Sequence, residues 1–332
     1  MDRRAWLQGT VGLGAGWLLA GCDERGGAGT GGVASSAASA KRGTAARPWI
    51  VGMSQCNLGE PWRVQMNEDV ERAIAKHEDM QVVFKDAQND SLRQRAQVEE
   101  LVAQKIDLLI ISPKETAPLT KPVAEAFAAG IPVIVLDRRV GGDRFTTFIG
   151  ADNARIGREA GKHAVEILGG KGKVVELKGL MTSSPGQDRH AGFREGLDLA
   201  SHPEIEIVFE ADMQWLEANA RKEMESALAT HPQIDLVYAH NDPGAHGAYL
   251  AAKAAGRQDD IKLLGIDALP HEGVRYVEQG ILHATFAYPT GGAEAVATAR
   301  RILAGEEVPK EITLGTRRFT KADVAKGGVA IE

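Results

Sequence analysis

Residues 133–139 read Val133-Ile134-Val135-Leu136-Asp137-Arg138-Arg139. Four apolar residues in succession fit a strand covered on both faces, as in a parallel sheet packed between helices. The run then stops abruptly at an acid and two bases. A buried strand can end in charge where its end opens on a ligand. In open parallel sheets that place is the crevice outside the carboxyl ends of the strands, where helix N-termini also point.

The rest of the chain repeats this grammar. Apolar runs at 49–54, 81–85, 107–112, 132–137 and 146–149, then at 173–178, 205–210, 235–240, 262–267 and 284–287, are expected strands. Amphipathic segments at 62–77, 92–104, 153–168, 219–230 and 291–303 are expected helices between them. Such alternation gives βαβ units and a parallel sheet. So many strands exceed one open sheet, and the chain also echoes itself. Lys105-Ile106-Asp107-Leu108-Leu109-Ile110-Ile111-Ser112 has a counterpart in Gln233-Ile234-Asp235-Leu236-Val237-Tyr238-Ala239-His240, and the 131–137 run has one in 261–267. The expected fold is α/β: two doubly wound, Rossmann-like parallel-sheet lobes facing each other across a ligand cleft, with residues 150–152 as the first crossing.

The N-terminus stands outside this scheme. Arg3-Arg4 is followed by a glycine-diluted apolar stretch ending Leu19-Ala20-Gly21-Cys22. That stretch is too short to span a bilayer, which takes about 20 residues, and reads as a signal peptide over 1–21. The ending looks like a bacterial lipobox, implying lipid on Cys22, and the Arg3-Arg4 start resembles a twin-arginine export signal. Residues 22–47, rich in Gly, Ala, Ser and Thr, read as a lipidated flexible tether. With Cys22 lipidated, Cys56 has no partner for a disulfide and reads as a small buried residue. A net charge of −6 without a basic stripe argues against nucleic acid as partner.

The strand ends indicate what the cleft binds. The loop after the first run brings Asn57, Glu60, Trp62 and Arg63, and the fourth run ends on Asp137 and Arg138. Later loops bring Asp188, Arg189 and Trp215, and the last ends carry Asn241, Asp242, Asp267 and Tyr288. Carboxylates accept from adjacent hydroxyls, guanidinium forks donate to two oxygens, and an indole face packs on the C–H face of a sugar ring. Glu60, Asp137 and Asp267 balance Arg63, Arg138 and Arg189, which favours a neutral polyol over an anion. Plainer readings stand beside these: Trp62 and Trp215 as core aromatics, Arg139 as solvated or paired, Asp242 as the cap of the helix that Pro243 opens. His240 and His246 lack a third ligand at suitable spacing, so no metal is expected. No cofactor and no catalytic residue is expected either. Gly12, Gly14 and Gly16 fall in the leader rather than after a strand, and neither a P-loop nor a Gly-x-Ser-x-Gly elbow is present.

Five pieces in order carry a family resemblance: Val135-Leu136-Asp137-Arg138, Gly150-Ala151-Asp152-Asn153, Asp188-Arg189-His190-Ala191-Gly192-Phe193, Ala239-His240-Asn241-Asp242 and Gly265-Ile266-Asp267. From residue 49 to about 320 the chain resembles the periplasmic sugar-binding proteins of the ribose-binding type, which serve ABC importers and share their lobes with LacI-like repressors. The resemblance implies sugar contacts by Asp137, Arg138, Arg189, Asn241 and Asp267, with Trp215 as an aromatic wall. It also implies a three-strand hinge, with 48–151 plus 289–317 as the N-terminal lobe and 152–288 plus 318–332 as the C-terminal lobe. Glu60-Pro61-Trp62-Arg63 departs from the Asn-Pro and paired aromatics of ribose binders, and Tyr288 replaces a usual Gln. The Trp62-Arg63 pair and the 237–242 run look more like the galactofuranose-binding branch, which implies a furanose or another small polyol. The implied protein is an exported, lipid-anchored monomer of the periplasm that captures a neutral sugar by hinge closure for an ABC permease. A sugar-sensing co-receptor for a membrane histidine kinase or chemoreceptor is the alternative. A repressor role is disfavoured, because an export leader stands where a DNA-binding segment would be.

Overall fold

Continuous apolar runs become strands and the amphipathic segments between them become helices, as their periodicities require. The computed structural model describes residues 42–332, so the leader, Cys22 and most of the expected tether lie outside the described residues. The first half runs β1 (Trp49–Gln55), α1 (Pro61–Ile74), β2 (Met80–Asp86), α2 (Ser91–Ala103), β3 (Leu108–Ser112), α3 (Thr116–Ala128), β4 (Val133–Leu136) and β5 (Thr147–Ala151). The second runs α4 (Asn153–Leu168), β6 (Lys171–Lys178), α5 (Ser184–Leu197), β7 (Glu204–Asp212), α6 (Glu217–Thr230), β8 (Leu236–Ala239), α7 (Asp242–Ala254), β9 (Lys262–Asp267), α8 (Arg275–Glu278) and β10 (Ala284–Ala287). The chain closes with α9 (Gly292–Leu303), β11 (Glu311–Leu314), β12 (Thr316–Thr320) and β13 (Val329–Ile331).

These strands form two sheets, ordered β11-β5-β4-β3-β1-β2 and β13-β12-β10-β9-β8-β6-β7. The first is parallel throughout. The second is parallel except for β12 and β13. β3 and β4 are buried along their whole length, which explains why their sequences do not alternate. In each sheet the order reverses beside an early strand: β1 lies between β2 and β3, and β6 between β7 and β8. Loops leaving such a switch point diverge and open a crevice. Glu60 to Arg63 follow β1, and Arg189 follows β6.

The chain passes between the sheets three times, after β5, after β10 and at Gly315 between β11 and β12. Arg317, expected in the N-terminal lobe, therefore belongs to β12 of the second sheet, where it pairs with Ala330. Strands β11 to β13 are short and mostly half exposed or exposed, β11 and β13 at sheet edges and β12 between β13 and β10, and Thr316-Arg317-Arg318-Phe319-Thr320 is largely polar. The end of the expected tether is also corrected. Arg42 donates to the Asp107 carboxylate, and Thr44 and Arg47 bridge backbone to backbone, so the chain is tied to the first sheet before β1 begins.

Two helices of the second half come unusually close. Gly157 and Gly161 of α4 face α5, and a Cβ on them would sit 2.5 Å from the carbonyl oxygens of Arg189 and Phe193 respectively. Gly192 and Gly196 of α5 meet the α4 backbone in return. Glycine at all four positions lets the backbones touch. That contact places Arg189, in the second turn of α5, directly against Asn153 at the start of α4.

Candidate functional site

Ten of the thirteen residues read at the strand ends line one cavity between the two sheets' carboxyl ends. They are Glu60, Trp62, Arg63, Asp137 and Arg138 from the first half, and Arg189, Trp215, Asn241, Asp267 and Tyr288 from the second. Pro185, in the first turn of α5, completes the wall; nothing in the sequence singled it out beyond that position. Asn57 and Asp188 stand outside. Asn57 Nδ2 donates to Glu60 Oε1 at 2.9 Å and orients that carboxylate, whereas Asp188 lines a neighbouring hollow with Arg139 and Glu311.

On the first side, Arg63 Nη1 donates to Asp137 Oδ2 at 2.6 Å and to Ser112 Oγ at 2.8 Å, and Ser112 donates to Asp137 Oδ2 at 3.1 Å. Burial pushes the Asp137 carboxyl up, but Arg63, Arg138 and Arg189 outweigh it and hold the group below its ordinary value. Burial likewise opposes the charge on Arg63, and its neighbours, Asp137 first and Glu60 among them, more than restore it. Arg138 Nη1 donates to the Lys114 carbonyl at 2.9 Å, and its guanidinium lies 5.4 Å from the centre of the Trp215 ring on the other side. Arg139 points away, ion-paired to Glu311 at 2.5 Å and stacked over Phe148.

On the second side, Arg189 Nε donates to Asn153 Oδ1 at 2.8 Å, and Nη1 donates to the His240 carbonyl. Its guanidinium lies between the rings of Trp215 and Tyr288, 5.3 and 4.7 Å from their centres. Trp215 thus serves as a wall partly by holding the two arginines. Asn241 has two tasks: Nδ2 donates to the Trp215 carbonyl at 2.9 Å, and Oδ1 accepts from Gly244 N at 2.9 Å, capping α7. Asp242, expected as that cap, instead buries its carboxylate, which accepts from Ala268 N at 2.7 Å and Thr285 Oγ1 at 2.7 Å. Asn rather than Asp holds the cap because the cap residue is extended, and only Asn241 precedes the first helical residue.

Tyr288 joins the two sides. Its hydroxyl donates to the Asp137 carbonyl at 3.1 Å and accepts from Asn153 Nδ2 at 3.3 Å, and its carbonyl receives the Trp62 indole N–H at 2.7 Å. Three wall residues hold left-handed backbone: Asp137 at φ 67°, Trp215 at 70° and Asp267 at 125°. Such conformations in residues other than Gly cost of order 1–3 kcal/mol each and cluster at functional sites.

Some polar atoms of the wall residues have no hydrogen-bond partner among the described residues. Arg63 Nε, Arg138 Nε and Trp215 Nε1 are buried without a hydrogen-bond partner. Asp267 pairs loosely with Arg189 Nη1 at 3.8 Å, and burial pushes its carboxyl well up. Guanidinium and indole donors together with carboxylate acceptors match a ligand whose every group both donates and accepts, which is the chemistry of hydroxyls. His240 and His246 do not converge: His240 Nε2 meets Glu176 at 3.1 Å, and His246 pairs with Glu217 at 3.0 Å. Among the described residues, a group with metal-ligand side chains is Glu176, His190 and Glu210, but the Arg194 guanidinium already bridges both carboxylates.

A polar cavity buried between two doubly wound lobes is the arrangement of a small-molecule binding protein. Residues 51–307 match the family described as periplasmic binding protein domain. The chain is 31% identical over 269 residues to the ribose import binding protein of Bacillus subtilis (strain 168), covering 80% of this chain and 86% of that one. It is 32% identical over 234 residues to the galactofuranose-binding protein of Escherichia coli (strain K12), covering 68% and 73%. Among solved structures, the fructose-binding periplasmic domain of a hybrid two-component system aligns with a TM-score of 0.81 at 40% identity, covering 84% of this chain and 93% of that one. The chain belongs to the periplasmic binding proteins, and among them to the sugar-binding proteins of the ribose-binding type. Membership places it outside the cytoplasm and in a family of binding proteins rather than enzymes.

Proposed function

We propose that the protein captures one neutral monosaccharide, a furanose or similar small polyol, by hinge closure and delivers it to an ABC importer. The observation that carries this reading is the balanced set of three carboxylates and three guanidinium groups around unpartnered buried donors. Closing the lobes without a ligand leaves those donors unsatisfied, at about 1–3 kcal/mol each. Sugar hydroxyls supply the missing partners, so the ligand favours the closed form by its differential contacts. The galactofuranose-binding relative supports a furanose ring. The fructose-binding relative, being part of a hybrid two-component system, also favours a second reading in which the loaded protein signals to a membrane histidine kinase.

The experiment is a thermal-shift panel of fructose, galactose, arabinose, ribose, myo-inositol and the corresponding sugar acids. One neutral sugar is expected to stabilise strongly, by about 4 kcal/mol when present at a thousand times its dissociation constant. A larger shift with a sugar acid, or no shift with any neutral sugar, sinks the reading. The leader supports a further proposal, that Cys22 carries a lipid anchor after export, by a twin-arginine route if the Arg3-Arg4 pair is read as such. Cys22→Ser is then expected to move the protein from the membrane fraction to the soluble periplasmic fraction. Retention in the membrane fraction refutes the anchor.

A further inference from the structure

Outside the cavity the two lobes meet at a second place. The loop from β3 into α3 on the first lobe faces the loop from β6 into α5 on the second. Thr116 N donates to the Thr182 carbonyl at 3.1 Å, and Thr182 Oγ1 donates to Glu115 Oε1 at 2.8 Å. Next to them, Arg139 N, just after β4, donates to Ser184 Oγ at 2.8 Å. None of these five residues lines the sugar cavity.

Both loops are held in shape by their own lobe. On the first side, Ser91 Oγ donates to Glu115 Oε2 at 2.5 Å, Gln94 accepts from Lys114 N at 2.8 Å, and Thr116 Oγ1 donates to the Arg139 carbonyl at 3.0 Å. On the second, Ser183 N and Oγ both donate to the Leu180 carbonyl, at 3.0 and 2.7 Å, and Gln187 Nε2 donates to the Met181 carbonyl at 2.9 Å. Groups fixed beforehand lose little entropy when they meet, so their hydrogen bonds contribute close to full strength. The patch is also wired to the cavity. Arg138, a wall residue, donates to the carbonyl of Lys114, immediately before Glu115, and α5 carries Arg189 one turn beyond Ser184.

We infer that the contact of Glu115, Thr116 and Arg139 with Thr182 and Ser184 is a closure latch, which sets ligand affinity without touching the ligand. The inference rests on the hinge-closure reading. A bond made only in the closed form raises the closed fraction, and the apparent dissociation constant falls by the same factor. Because the ligand lands before the lobes meet, the latch slows departure and leaves arrival unchanged.

The test compares Thr182→Val, which removes the hydroxyl at constant shape, with Thr182→Ser, which keeps it, and with Glu115→Ala. Sugar affinity and rates are measured for the sugar found in the thermal-shift panel. Interlobe distances are measured without sugar, using spin labels on α2 and α6. Thr182→Val and Glu115→Ala are each expected to weaken binding about tenfold, almost wholly through faster dissociation. Their double variant is expected to be within about twofold of the weaker single, since both remove one bond. Thr182→Ser is expected to stay close to the parent protein. In the label experiment both weakening variants shift the unliganded population toward open. Affinities within twofold of the parent, a loss confined to the association rate, or unchanged label distances overturn the latch. A parent protein that answers to no sugar overturns the proposed function instead, and the label distances then judge the latch alone.

Discussion

Arg189→Ala is expected to lower sugar affinity at least a hundredfold while leaving the melting temperature of the sugar-free protein within a few degrees. Two losses combine. The first is direct: the guanidinium is held by Asn153 and the His240 carbonyl and sits between the Trp215 and Tyr288 rings, so its remaining donors are presented to the cavity in a fixed orientation. A hydrogen bond from a charged group contributes about 1.5–3 kcal/mol. The second acts through Asp267, whose nearest cation is Arg189 Nη1 at 3.8 Å. Burial already pushes the Asp267 carboxyl well up, and Arg189 is the largest influence opposing it. Without Arg189 that opposition is lost, and the hold of Asp267 on a sugar hydroxyl weakens. Together the two reach roughly 3–5 kcal/mol, beyond a hundredfold in affinity. Arg189→Lys keeps a charge but cannot serve Asn153 and His240 together, and a loss above tenfold is expected. Calorimetric titration with the panel's best sugar measures both. Binding by Arg189→Ala within threefold of the parent would remove Arg189 from the site.

How much of this was legible in the sequence depends on where each residue sits. The ten wall residues could be found because they are polar or aromatic interruptions at the ends of apolar runs, where topology gathers them. Asp137 after Val133–Leu136 and Asp267 at the end of β9 illustrate the signal. Pro185 gave none, since a proline at the start of a helix is ordinary. The latch residues gave none either: Thr182 and Ser184 are common loop residues, and their importance comes from what lies opposite them in another lobe. The left-handed backbone of Trp215 and Asp267 is equally silent, because bulky residues rarely adopt it and no local pattern announces it. The last three strands escaped because they lie at or next to a sheet edge and are largely uncovered, so their sequences mix Arg and Thr with Phe and Ile. Asn241 and Asp242 exchanged roles for a subtler reason. Both residues suit a helix start, and only the backbone decides which one precedes the first turn. The one visible anomaly that the strand pattern did not absorb was Glu176, an acid set between Val175 and Leu177 in the middle of a buried strand.

That acid supports the floor of the site, and replacing it tests whether the floor matters to folding. Glu176 is fully buried in β6, and its carboxylate meets His190 Nδ1 at 2.9 Å, His240 Nε2 at 3.1 Å and Arg194 Nη2 at 2.8 Å. Burial pushes the carboxyl up, but the hydrogen bonds with His190 and His240, with the charge of Arg194, more than reverse this and hold it far below its usual range. Burial also lowers His240 and keeps its ring neutral. A carboxyl whose folded pKa lies below its unfolded value of 4.5 binds fewer protons when folded. It therefore adds stability above that pH, and the stability is lost as pH falls toward the folded value. Glu176→Gln removes the buried charge that His190, His240 and Arg194 share, leaving Arg194 to Glu210, and is expected to cost about 2 kcal/mol at neutral pH. The gap between the two proteins is expected to narrow steadily below about pH 4.5, as the parent's carboxylate is titrated. Urea unfolding of both proteins at pH 7 and at successively lower pH measures this. A gap under 1 kcal/mol at pH 7, or one that stays constant into acid, would show that the carboxylate's charge does not hold this region together. Because the His240 carbonyl receives Arg189, the same variant is expected to loosen sugar binding severalfold, whereas a variant on the far edge, such as one in β13, should leave it unchanged.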